Sequence, residues 1–283
     1  LYDLCKIESQ PTTFDLGFRL GPRINAGGRV GKSSHGAELL ISNDPKKTYQ
    51  IALDLDKSNM ERQAIELMLS EQINLEVKNY HNHPVLVMSG NNWHEGIIGI
   101  VASRIKEKYN KPTILISLKQ NIGKGSARSV VGFDIGSQII KAVQCGILQK
   151  GGGHKMAGGF VLKKENIPAF RDFLIKNFEK SNINSSVSTN LYLDSIIAPS
   201  ALNEVFFDEI NCLAPFGSGN SEPKFVIENI KVISANIVGN NHIKLVLSGK
   251  DGTVFKSLAW NAIDTPLEPF LNNKNRKRIN IAG

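Results

Sequence analysis

The sequence predicts an α/β protein: one long helix, then a mixed-sheet domain, then a small β-barrel. Three observations carry that expectation. Residues 44–79 keep a helical periodicity without interruption. Residues 81–180 alternate short apolar runs with amphipathic stretches, the pattern of a mainly parallel or mixed sheet with helices packed on it. From residue 188 onward, several short segments alternate apolar and polar residues like half-buried strands. At 283 residues the chain is long enough for two domains and pieces of a third.

In chain order, residues 14–45 are expected to be loop-rich, turning helical from about Ser34. They contain "AGGRVGKSS", which resembles a phosphate-binding P-loop with Ala26 in place of the first glycine. Such a loop works only between a buried strand and a helix, and the preceding "FRLGPRIN" has no apolar run. The P-loop reading is set aside, which leaves Arg23 and Arg29 as phosphate contacts or as solvated charges. The long helix has a start signal in Asp44, placed to cap it, with Pro45 at the first helical position. Leu53, Met60, Ala64, Leu67 and Met68 recur at helical spacing and are expected to face the core. About 35 residues at 1.5 Å each would span roughly 50 Å, the length of a strut between domains. The "DLD" within it is no metal motif, because helical residues two apart point to different faces.

The domain at 81–180 opens with the strand "PVLVMSG". The helix "EGIIGIVASRIKEKY" follows, with Ile98, Val101, Ala102, Ile105 and Tyr109 on one face. The strand "TILIS", the turn "NIGKGSARS", the helix "DIGSQIIKAVQCGIL" and the loop "KGGGH" come next, and "GGFVLK" and "IPAFRDFLIKNFEK" close it as strand and helix. The polar stretch 181–190 is expected to be a linker. Beyond it "LYLDSIIA", "KFVIENIKVISANIV", "HIKLVLSGK" and "TVFKSLAWN" are the expected strands of a barrel. Such strands with a helix among them outline an OB-fold, a common platform for single-stranded nucleic acid.

Composition limits the function classes. With 41% hydrophobic and 21% charged residues the chain is an ordinary globular one. No apolar run approaches a membrane span and no signal-peptide pattern opens the sequence. Three scattered cysteines suit neither a zinc knuckle nor a disulfide framework and point to a reducing cytoplasm. The net charge of +8 suits a polyanionic partner. Two glycine-bearing loops carry the local chemistry. "GKGSARS" supplies Ser126, Arg128 and Ser129, a guanidinium fork and hydroxyl donors matched to phosphate oxygens. "KGGGH" supplies Gly152, Gly153 and His154, whose bare backbone amides can face an anion. A tight core turn and a buried, satisfied histidine are the competing explanations.

"GPRINAGGRVG", "NWHEGIIGIVASRI", "GSARS", "GGGHKMAGGF" and "LAPFGSGNSEPKF" occur in the order found in RecJ-type single-stranded-DNA exonucleases, which are DHH phosphoesterases. The resemblance covers nearly the whole chain. It implies that residues 1–45 are the tail of a catalytic DHH domain and 46–80 the connecting helix. Residues 81–180 would be the DHH-associated domain and 188–283 an incomplete OB-fold. The implied function is the substrate-binding portion of a 5′-to-3′ exonuclease of DNA repair and recombination. Ser126, Arg128 and Ser129 would bind the DNA 5′ end, while Gly152, Gly153 and His154 would face the catalytic cleft. Arg23, Asn25 and His94 would lie near the substrate path. Single-stranded DNA is the implied partner, with single-strand-binding protein a second and no membrane; a monomer is expected.

Departures from the family's pattern bear on catalysis. The Asp-His-His motif and aspartates that hold two manganese or magnesium ions would lie upstream of Leu1, and no Asp-His-His occurs here. The pair His81 and His83 has no carboxylate cluster beside it and is taken as a loop before a strand. No metal ligand or catalytic residue is therefore expected in this chain. A start at Leu1 without Met and a stop at "RINIAG" are taken as marks of a fragment, inactive alone. "RINAGGR" and "GNSEP" stand where the family shows "RINAAGR" and "GNPEP", and are expected to alter only loop stiffness. Two other readings remain open: a DHH phosphoesterase for short oligonucleotides or cyclic dinucleotides, and a non-catalytic single-strand-binding paralogue.

Overall fold

The computed structural model describes residues 1–80, 82–181, 190–273 and 278–283, in two compact units, Leu1–Ser188 and Thr189–Gly283. His81 and nearly all of the expected linker lie outside the described residues. No helix among the described residues is long and apolar enough to cross a membrane.

The first unit begins with a π-helical turn at Asp15–Leu20 that runs directly into α1 (Gly21–Val30). This corrects the expected loop. Pro22 falls near the start of α1, where its fixed φ suits the helix. Gly27, where the family shows alanine, is a buried helical residue and not a loop residue. A Cβ there would stand 2.6 Å from the Lys32 carbonyl and 3.1 Å from Leu55 of the long helix. Close packing thus holds a helix that its proline and glycines disfavour in isolation. After α2 (His35–Ile41), α3 runs from Pro45 to Val77. The Asp44 carboxylate accepts the N–H groups of Lys46 at 2.9 Å and Lys47 at 3.3 Å, as the start signal predicts.

The face that α3 buries differs from the expected one. Ile51, Ala52, Leu55, Leu69, Ile73 and Val77 are buried, whereas Met60, Leu67 and Met68 are exposed. Ala64 is exposed as well, and Leu53 is half-buried. The helix carries more than one apolar stripe, and α1, α2 and α4 (Glu95–Tyr109) pack on the other one. Glu66 is buried on that side and pairs with Arg62 one turn earlier and with Arg104 of α4 at 2.5 Å. The helix is a packed wall of this unit along much of its length, more than a bare strut.

The sheet contains β1 (Leu86–Asn91), β2 (Thr113–Lys119), β3 (Ile122–Arg128), β4 (Lys150–His154) and β5 (Ala157–Lys163), in the order β1-β2-β3-β5-β4. β1 and β2 are parallel, joined through α4, and the other pairs are antiparallel. One face packs on α5 (Ile135–Gln144) and α6 (Ile167–Lys180) through Ile114, Ile116, Ala127, Phe160, Leu162 and Phe170. The opposite face packs on α4 and the end of α3 through Leu86, Met88, Leu115, Ile97, Val101 and Ile73.

Both glycine segments expected as loops are strands. Gly125 lies opposite Phe160, and a Cβ on it would stand 2.0 Å from the Phe160 ring. The ring covers the bare backbone of β3 and replaces the side-chain packing that glycine lacks. Gly153 is exposed, but its own hairpin leaves no room for a side chain, its Cβ position standing 2.4 Å from the Ala157 carbonyl.

In the second unit, β7 (Phe225–Val238), β8 (His242–Ser248), β9 (Val254–Ala259) and β10 (Ile279–Ala282) follow β6 (Ser195–Ile196) in sequence. The order is β10-β7-β8-β9, with β6 parallel to β7. Ile227, Ile230, Ile243, Leu245, Leu247 and Leu271 form the core under this OB-like half-barrel, which also carries α7 (Glu204–Asn211) and α8 (Leu267–Asn272). "LYLDSIIA", expected as a full strand, contributes only the two residues of β6.

Candidate nucleic-acid interface

Strand pairing assembles the site. Register places Lys124, Val161 and Lys150 in one cross-strand row, Ser126, Gly159 and Gly152 in the next, and Arg128, Ala157 and His154 in a third. Because side chains alternate along a strand, all nine positions share the α4 face. Over β4 and β5 that face is open. A Cβ on Gly152 would meet nothing within 4 Å, and one on Gly159 only a carbonyl at 3.8 Å. Another chain can therefore lie against bare backbone here.

α4 forms the wall of this surface. It crosses Ser126 and Arg128 so closely that a Cβ on Gly99 would stand 2.9 Å from Ser126 Oγ and 3.1 Å from Arg128 Nη2. Arg128 is half-buried there, with Nη1 donating to Ser126 Oγ at 3.2 Å and to the Ala127 carbonyl at 2.9 Å. From α1, Arg29 reaches the same wall and donates to the Gly96 carbonyl at 3.1 Å. Burial, and after it the charge of Arg29, hold the Arg128 guanidinium below its ordinary pKa. Neither arginine pairs with a carboxylate among the described residues. Two guanidiniums of this kind beside a serine hydroxyl and open backbone attract an anion with several oxygens.

The other expected residues divide. His154 is exposed at the end of β4, its Nδ1 accepting the Met156 N–H at 3.3 Å, so it is not a core histidine. Gly152 faces the open surface, while the Cβ position of Gly153 is turned to the other face of the sheet, against the backbone of Ala157 and Gly158. Ser129 is buried and donates its hydroxyl to the Phe133 carbonyl at 2.6 Å, bracing the turn after β3 rather than facing the surface. Arg23 turns to Asp56 at 2.7 Å and to the Arg19 carbonyl. Asn25 shares a cleft of about 480 Å³ with Arg29 and Arg62. His94 caps α4 by accepting the Gly96 N–H at 3.2 Å.

Sequence reasoning passed over Lys124 and Lys150, and left Arg29 undecided. Reading "KGSAR" as a strand would have put Lys124, Ser126 and Arg128 on one face by their two-residue spacing. It also passed over Trp260 in the second unit, which is 70% exposed. The Trp260 indole stands edge-on to His242 with centroids 4.9 Å apart, and His242 Nδ1 accepts the Asn261 N–H at 2.9 Å. Lys244 lies two residues along the same strand, pointing away from the core between buried Ile243 and Leu245. An exposed, oriented indole beside a lysine is a surface on which a base can stack. Among the described residues, no group of three or more His, Cys, Asp or Glu could hold a metal ion.

Comparison with known proteins finds matches to both units. Residues 82–180 match the DHHA1 domain family and residues 193–283 the RecJ OB domain family. The chain is 32% identical over 282 residues to the single-stranded-DNA-specific exonuclease RecJ of Haemophilus influenzae, a match over 95% of this chain and 48% of that one. It is 30% identical over 237 residues to the RecJ of Bacillus subtilis, over 82% of this chain and 30% of that one. The crystal structure of Thermus thermophilus RecJ in complex with Mn2+ matches with a TM-score of 0.78 at 27% identity. That match covers 92% of this chain and 38% of the other. The chain thus spans about half or less of the length of these relatives.

Proposed function

Since the chain carries a DHHA1 domain followed by a RecJ OB domain, it belongs to the RecJ family, and on that premise we propose that it is the substrate-binding portion of a 5′-to-3′ single-stranded-DNA exonuclease of DNA repair and recombination. Residues 1–45 would complete a DHH catalytic domain, 46–80 connect it, 81–180 seat the DNA end, and 188–283 hold the trailing strand. The observation that carries this reading is the pair Arg128 and Arg29, without a carboxylate partner among the described residues, beside Ser126 on an open glycine surface. A 5′-terminal phosphate has the charge and the oxygens for that seat. His154 and Gly152 would border the strand as it leaves, with Asn25 nearby. Trp260 would stack a base further along.

The divalent ions of solved relatives would be held by residues outside this chain, because the described residues do not form a ligand set for them. No hydrolytic step is assigned to this chain's own groups. What they do is bind the end, orient it, and keep the strand extended. A cytoplasmic monomer that meets single-strand-binding protein belongs to the same proposal.

The test compares Arg128→Ala on 5′-phosphorylated and 5′-hydroxyl oligonucleotides by fluorescence anisotropy. A charge-assisted contact stabilises binding by about 1.5–3 kcal/mol. The variant should therefore lose about ten- to a hundredfold in affinity for the phosphorylated end and much less for the hydroxyl end. Equal losses on both ends would remove the terminal-phosphate seat.

A further inference from the structure

The motif "NWHEGIIGIVASRI" carries two glycines that packing on the sheet does not require. Ile97, Ile98 and Val101 bury the sheet side of α4. The head of the motif is fixed as well. The Trp93 ring lies so close over Gly90 that a Cβ there would stand 2.1 Å from it, and the Trp93 carbonyl accepts the Ser117 hydroxyl. Gly96 and Gly99, three residues apart, are neighbours on the helix surface. Glycine inside a helix weakens it relative to alanine, and what these two allow is close approach. A Cβ on Gly96 would stand 2.5 Å from the Arg29 carbonyl and 3.1 Å from Arg29 Cα, so α4 meets the end of α1 backbone to backbone. The Gly96 carbonyl then accepts the Arg29 guanidinium at 3.1 Å. One turn later, bare Gly99 faces the Ser126 hydroxyl and the Arg128 guanidinium. Both glycines thus face the residues of the phosphate seat.

We propose that Gly96 and Gly99 are positioning residues for the terminal phosphate: bare helix backbone at these two points brings Arg29 and Arg128 together beside Ser126. This rests on the terminal-phosphate reading above and names what builds that seat. A methyl group on Gly99 would take space that Ser126 Oγ and Arg128 Nη2 now use, and one on Gly96 would hold α1, with Arg29, away from the wall. A planar guanidinium meets phosphate oxygens in a fixed geometry, so displacing it weakens the hold on that phosphate and little else.

The experiment is Gly99→Ala, read by thermal melting and by fluorescence anisotropy on 5′-phosphorylated and 5′-hydroxyl oligonucleotides. The atoms in the way at Gly99 are the ends of two side chains that can swing aside. The melting temperature should therefore hold or rise, because alanine is the better helix former. Affinity for the phosphorylated end should fall about tenfold, and for the hydroxyl end less than about twofold. Gly96→Ala meets main chain instead, so it should lower the melting temperature and show the same end-selective loss. In an Arg128→Ala background, Gly99→Ala should cost less than about a further twofold, since it acts through that guanidinium. A Gly99→Ala chain that keeps its full preference for the phosphorylated end, or loses both ends equally, would overturn the positioning role. So would a full tenfold loss added to that of Arg128→Ala. Arg128→Ala alone separates the two readings. If its loss is end-selective and that of Gly99→Ala is not, only the positioning role fails; if Arg128→Ala loses both ends equally, the seat fails and the role with it.

Discussion

At the scale of the residue, the glycines of this sheet face two ways, and their substitutions should fail in two ways. Gly152 looks onto open space, whereas the Cβ position of Gly125 lies inside the Phe160 ring. Gly152→Val should leave the melting temperature nearly unchanged, since a β-branched residue suits a strand. The same change should lower single-strand affinity about tenfold by holding the ligand off the backbone. Gly125→Val should do the reverse and destabilise the fold by at least the roughly 1–3 kcal/mol of an overpacked core. Thermal melts and anisotropy on both variants check this; a loss of folding in Gly152→Val would remove Gly152 from the binding surface. None of this division was legible in "GKGSARS" or "KGGGHKMAGGF". Glycine has no side chain whose character could betray its neighbour, so the sequence offered a flexible loop where register places packed strands. The donor chemistry of Arg128 and Ser126 was legible because it is in the side chain, whereas their juxtaposition is set by strand register. Ser129 was misplaced because a buried and an exposed serine look alike.

At the scale of the element, boundaries were easier than phases. Asp44 and Pro45 mark the start of α3 because capping is a local interaction between neighbours in sequence. The buried face was misjudged because periodicity sets the repeat and not which of two stripes meets the core. Glu66 decides part of that phase. Being charged, it would be expected on the solvent side, yet it is buried and ion-paired with Arg62 and Arg104 between α3 and α4. Glu66→Ala should leave Arg62 unpaired in a buried setting and cost about 3–5 kcal/mol, read by urea unfolding. A loss under about 1 kcal/mol would make the pair a surface one in energetic effect. The tail helix α1 follows the same logic. With Pro22 and three glycines it reads as loop, and its hold comes from packing on α3.

For the molecule as a whole, the proposed function asks a different kind of grip of each unit, charge in the first and a stacking surface in the second. Purified as it stands, the chain should bind single-stranded DNA and release no nucleotides when manganese is added. Trp260→Ala should weaken that binding by about 1–3 kcal/mol, the scale of one stacked base. Manganese-dependent hydrolysis by this chain would overturn the assignment of the metal ligands elsewhere, and an unaffected affinity in Trp260→Ala would remove the stacking surface.

The sequence alone determined the long helix, the mixed sheet with its packed helices, the half-barrel that follows, and the family, through five motifs in a set order. These depend on local periodicity, capping and residue chemistry, all written along the chain. Tertiary structure alone decided that the two glycine segments are paired strands, that Arg29 and not Arg23 joins Arg128, and that Lys124 and Lys150 share a row with the site. Each of these is a relation between residues far apart in sequence. Strand register and helix packing create it, and no local pattern encodes it.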